Sequence, residues 1–208
     1  MQVGMTHSPP SPEFIRITMQ GDARSLIMPF DPILPHRVKP SELELINPVW
    51  IDIEANPKEF VADQSLTYLW VLRDDGKVIL GIEEPWKYPQ AFSDAVREKL
   101  DEMRDHYEAQ YQQNEKDGSG GHPTLAAWFD ETGRADPRGG YAFLGGELKY
   151  DGQIGGWMLS NRSGRFGRGA GLTDGTVSEE AVLEAMSFAA QVIEAQTGLN
   201  VSIEVVRK

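Results

Sequence analysis

The chain has 208 residues, a formal net charge of −12 and no cysteine, which excludes disulfides, thiolate nucleophiles and thiolate metal sites. With 40% apolar residues and five tryptophans it has the material for one folded core, and no apolar run approaches the roughly 20 residues that a membrane span needs. A field this negative opposes binding to bulk nucleic acid or to anionic membranes.

Residues 1–12 carry neither a basic n-region nor an apolar h-region and read as a flexible leader. This fits a cytoplasmic protein, or one exported by a secretion system that needs no cleaved signal. Residues 13–208 read as a single domain. Glu13–Met19 alternates and is rich in β-formers, so a first strand is expected there. Pro29–Pro35 holds three prolines and reads as a loop. Val49–Glu54 alternates again as a strand. Leu66–Leu72 and Lys77–Ile82 flank Asp74-Asp-Gly76 and predict a hairpin, with the glycine supplying the positive φ of the turn.

Over residues 91–113 the apolar side chains of Phe92, Val96, Leu100, Met103, Tyr107 and Tyr111 recur at helical spacing. The opposite face, with Asp94, Arg97, Glu98, Lys99, Asp101 and Glu102, reads as solvated. Residues 114–121 stop the helix and form a linker. Next, Pro123 fixes a turn that presents His122 and Thr124. Tyr141–Tyr150 and Trp157–Ser160 predict a second hairpin across residues 151–156. Thr176-Val-Ser-Glu179 has capping-box spacing and opens a helix to about residue 196. Val182, Ala185, Met186, Ala189 and Ile193 form its buried face, and Gly198 ends it. Asn200–Val206 is a terminal strand. Six or seven strands with two main helices and no regular β-α-β alternation predict an α+β fold with a mostly antiparallel sheet.

The chemistry concentrates in one region. Residues 133–168 carry six basic and three acidic side chains, so the segment is +3 while the remainder carries −15. Twelve of the 21 glycines lie between Gly139 and Gly175, a density that fits tight turns or close approach of backbone to a ligand. In Ser160-Asn-Arg-Ser-Gly-Arg-Phe-Gly-Arg168, backbone N–H groups at Gly164, the guanidinium forks of Arg162 and Arg165, and the neutral donors Asn161 and Ser163 suit a phosphate ester or pyrophosphate. The loop lacks the Lys-Ser/Thr of a P-loop and is no Rossmann fingerprint. Its plainer reading is a surface turn. Alternation puts Glu147 on the face of Gly145 and Lys149, opposite Leu148, either as a structural ion pair or as a carboxylate that stabilises a developing cation. His122 is a candidate base or a turn residue. The four histidines show no metal-ligand spacing, and no Gly-x-Ser-x-Gly elbow is present.

As a set, four segments resemble a domain at the toxin ends of bacterial polymorphic toxins and in related effector-like proteins. They are Tyr68-Leu-Trp-Val-Leu-Arg-Asp-Asp-Gly76, Gly121-His-Pro-Thr-Leu125, Gly146-Glu-Leu148 and Trp157-Met-Leu-Ser-Asn-Arg-Ser-Gly-Arg-Phe166. They are similar, more distantly, to the conserved region of plant IQ-motif calmodulin-binding proteins. The resemblance spans residues 66–168, and the chain carries Phe166 where the family often has Tyr. It implies a toxin or effector.

Joined to the residues, it gives a concrete expectation: an ADP-ribosyltransferase-like enzyme, or NAD hydrolase, that uses NAD and acts on a protein target. Glu147 would stabilise the oxocarbenium-like transition state. His122 or Ser163 would orient substrate. Arg162 and Arg165, with Asn161, Gly164 and Thr124, would hold the nucleotide. The competing expectation is a non-catalytic acidic protein that caps a basic partner.

Overall fold

The computed structural model describes residues 36–37, 51–52, 54, 62–73, 75–92, 94–112, 122–126, 141–164 and 166–207. The expected leader, the strand at 13–19, the loop at 29–35 and the linker at 114–121 lie outside the described residues.

The fold is α+β, built on one mostly antiparallel sheet. Its strands are β1 (His36–Arg37), β2 (Ile51–Asp52), β3 (Thr67–Arg73), β4 (Val78–Ile82), β5 (Tyr141–Asp151), β6 (Gly156–Ser160) and β7 (Val201–Glu204). They run in the order β2-β4-β3-β5-β6-β7, with β1 also paired to β5, and all pairings are antiparallel except β6 with β7. The helices are α1 (Asp94–Gln112), α2 (His122–Ala126), α3 (Gly169–Asp174) and α4 (Glu179–Thr197). Both expected hairpins are present. Gly76 takes φ 82° in the first turn, and its N–H donates to the Arg73 carbonyl at 3.0 Å.

The central strands are apolar along their length because both sheet faces are covered. One face carries Tyr68, Trp70, Leu72, Leu80, Leu148 and Leu159 against Val182, Ala185, Met186, Ala189 and Ile193 of α4. On the other, Leu69, Val71, Ile79 and Ala142 pack with Leu125 and Ala126 of α2 and with Phe166. Among the described residues that second cover is short, and beyond it the same face turns polar.

Two local expectations are corrected. The cap of α4 is Ser178, whose hydroxyl accepts from the Ala181 N–H; the Thr176 hydroxyl instead donates to Asp174. The helix then runs to Thr197, and Gly198 closes it at φ 73°, as its sequence position implies. His122-Pro-Thr is not an isolated turn but the first turn of α2, where a proline is tolerated because its missing N–H has no helical partner.

Candidate functional site

Strand register assembles the candidate site on the polar half of the second face. Glu147 pairs with Leu69 of β3 and Ser160 of β6, and Ser160 pairs with Glu204 of β7. One row over, Lys149 pairs with Thr67 and Met158. Residues two apart on a strand share a face, so Glu147 and Lys149 stand side by side, as expected from the sequence.

The Glu147 side chain is 18% exposed, and Lys149 Nζ lies 2.6 Å from its Oε2. The same Oε2 is buried. At that distance the freely rotating ammonium of Lys149 is the close partner of this oxygen.

His122 closes the site on the α2 side. Its Nε2 lies 2.8 Å from the Gly146 carbonyl. A carbonyl only accepts, so Nε2 carries the hydrogen and the neutral ring leaves Nδ1 as the acceptor. The ring edge rests on Gly145, where a Cβ would sit 3.3 Å from His122 Cδ2. The residue is half-buried. Burial pushes its pKa below the ordinary 6.5, against the opposing pull of the Gly146 carbonyl and the Glu147 charge. Because the folded state disfavours the proton, stability from this group is present above pH 6.5 and is lost as pH falls through the folded value. His122→Gln is therefore expected to flatten the fall in Tm between pH 7.5 and 5 relative to the native chain; equal slopes in both would contradict the burial argument.

The loop after β6 turns inward. Asn161 is 2% exposed and its amide binds three backbone groups: Nδ2 donates to Gly167 O at 2.6 Å and to Val206 O at 3.0 Å, while Oδ1 accepts from the Val206 N–H at 2.6 Å. The Ser163 hydroxyl accepts from the Phe166 N–H at 3.2 Å. Phe166 is fully buried under β3 and β5. Its carbonyl accepts from Gly145 N–H at 3.2 Å, and the Arg168 guanidinium donates twice to Phe143 O, at 3.1 and 3.0 Å. Residues 143 and 145 face the same strand edge, so the loop completes an edge of β5 that β6 leaves open. Burial lowers the Arg168 pKa to about 10, still charged at neutral pH.

Of the expected ligand-binding residues, Glu147 and His122 are brought together, close enough for the carboxylate to bias the imidazole. Asn161 and Ser163 face the protein interior. Arg162 is exposed and pairs with Glu204 at 3.3 Å, a contact worth little in water. Gly164 is an exposed loop tip with open space around it. Thr124 lies in the first turn of α2, and Arg165 is outside the described residues.

Sequence reasoning passed over Glu83, just beyond β4. Its backbone N–H donates to Thr67 O at 2.9 Å, which extends the β3–β4 ladder by one rung. The usable signal was parity: Ile79, Gly81 and Glu83 alternate onto the face that bears Glu147. Among the described residues no group of acids and histidines is arranged to hold a metal ion, and no helix is long and apolar enough to cross a membrane. Comparisons of the chain with protein-family models, with curated proteins and with solved structures find no match.

Proposed function

We propose that the chain is an NAD-consuming enzyme of the ADP-ribosyltransferase type, acting as a bacterial effector or toxin, with its chemistry centred on Glu147. The observation that carries this reading is the half-enclosed Glu147 carboxylate, 18% exposed, with its Oε2 buried and held by Lys149 at 2.6 Å. Loss of nicotinamide from NAD builds positive charge on the ribose, and a carboxylate fixed in a partly dehydrated site stabilises that charge more than one in water. Lys149, beside Glu147, and Arg162, two residues past the end of β6, are the cations offered to the pyrophosphate. His122, neutral and oriented by the Gly146 carbonyl, borders the carboxylate. Asn161 and Ser163 then serve the loop frame and not the ligand.

The test is nicotinamide release from NAD by purified protein, with labelling of lysate proteins read in parallel. Glu147→Gln is expected to lower the rate by about 10² to 10³-fold. Equal rates in native and variant protein would remove Glu147 from the chemistry.

One observation favours a second reading, a binding protein for a basic partner. On α1 the side chains of Asp94, Glu98, Asp101, Glu102, Asp105 and Glu108 are all exposed, and Arg97 and Arg104 pair with only three of them. Charge reversal at Glu98 and Glu102 that leaves NAD turnover intact but abolishes capture of a basic protein would shift the weight to this surface.

A further inference from the structure

We propose that Glu83 is the general base of the same site, the group that takes the proton from the acceptor attacking the ribose. This rests on the NAD reading above. β4 and β5 flank β3, so Glu83 and Glu147 rise from either side of Thr67 and Leu69 on one face. Glu147 lies two strands across and two residues along from Glu83, so strand spacing puts their backbones about 12 Å apart. Two long carboxylate side chains on such a base can address one ligand, one working on the sugar and the other on the nucleophile.

The charges around Glu83 fit that role. It is half-buried, and desolvation is the main influence raising its pKa above the ordinary glutamate value. Glu147 and Glu84 push the same way, while Lys149 and Lys87 oppose. Lys87 is engaged by an ion pair with Glu84, and Lys149 lies against Glu147. Neither lysine neutralises Glu83 alone, so Glu83 keeps a proton affinity closer to neutrality, which suits a base.

The step balances. The C1′–N bond of the nicotinamide riboside breaks and its electron pair returns to the pyridinium ring, giving neutral nicotinamide. A new C1′–O bond forms from water or a protein hydroxyl. The displaced proton passes to Glu83 and then to solvent. Nothing is oxidised or reduced.

The experiment measures nicotinamide release from NAD across pH 4.5–8 by native protein, Glu83→Gln, Glu83→Asp and His122→Asn, with the fold of each checked by circular dichroism. Glu83→Gln is expected to lose about 10² to 10³-fold in kcat with KM little changed, and to lose the acid limb of the pH profile. Glu83→Asp is expected to recover part of the rate. His122→Asn is expected to keep the acid limb. An active native enzyme whose Glu83→Gln variant is folded and within twofold of it overturns the role of Glu83 and leaves the NAD reading standing. An acid limb that vanishes in His122→Asn, and not in Glu83→Gln, also overturns it. A native protein that releases no nicotinamide overturns both.

Discussion

Gly146→Ala is expected to abolish the folded protein at 25 °C, or to cost more than about 4 kcal/mol in urea unfolding. The reason is local and severe. A Cβ on Gly146 would fall 1.7 Å from the Ser160 carbonyl oxygen and 2.8 Å from Asn161 Cα. That oxygen cannot move aside, because Trp70 Nε1–H donates to it at 3.0 Å from the neighbouring strand in the buried core, and Trp70 and Gly146 are themselves in register. The missing side chain of Gly146 is thus the space through which β6 leaves the sheet, and the indole satisfies the carbonyl that occupies it. Trp70→Phe keeps most of the volume but orphans that carbonyl, with an expected loss of about 1–3 kcal/mol. Gly164→Ala is the control: nothing lies within 4 Å of a Cβ there, and the change should stay within about 0.5 kcal/mol. A well-folded Gly146→Ala would contradict the close passage of the chain at Ser160–Asn161 over Gly146.

The same close passage shows which parts of the molecule are legible in the sequence. Asp74-Asp-Gly76 and residues 151–156 announce both hairpins because turn chemistry is local. The buried stripe of α4 is legible because packing repeats with the helix period. Glu147 is placed on the right face by alternation alone. The loop after β6 is another matter. Asn161 and Ser163 were read as ligand donors because polar residues beside glycine and arginine usually face solvent. Here they are buried because their partners, Gly167 and Val206 for one and Phe166 for the other, exist only once the chain has folded back. The polarity of a residue states that it needs a partner, not which one. Thr176 fails as a cap for a similar reason, since Asp174 two residues earlier competes for its hydroxyl. Glu83 was missed because its company comes from β5, distant in sequence, and the strand order that joins them is non-local.

Asn161→Leu is expected to cost about 3–5 kcal/mol, read as a lower urea midpoint with an unchanged slope. Leucine keeps the branched shape but leaves the Gly167 and Val206 carbonyls and the Val206 N–H without their partner, the first buried and the other two partly buried. The orientation of the amide is not ambiguous: two carbonyls demand the NH₂ side and one N–H demands the oxygen. Asn161→Asp therefore separates hydrogen bonding from packing. Its carboxylate still accepts from Val206 N–H, but it sets a negative charge against two carbonyl oxygens, so its folded-state pKa is expected to rise. A group whose pKa is raised by folding binds more protons in the folded state, and stability then increases as pH falls toward the unfolded value. The aspartate variant should accordingly be weakest near pH 7 and regain ground on native protein between about pH 7 and 4, when the protonated acid again donates to a carbonyl. The leucine variant has nothing to titrate and should show a pH-independent deficit. Parallel pH curves for the two variants would mean that the deficit comes from shape and not from the three backbone bonds. If the curves diverge as expected, the C-terminal segment at Val206 is fastened to the loop by a single side chain, and the β7 edge that positions Glu204 beside Arg162 depends on a residue with no contact to any ligand.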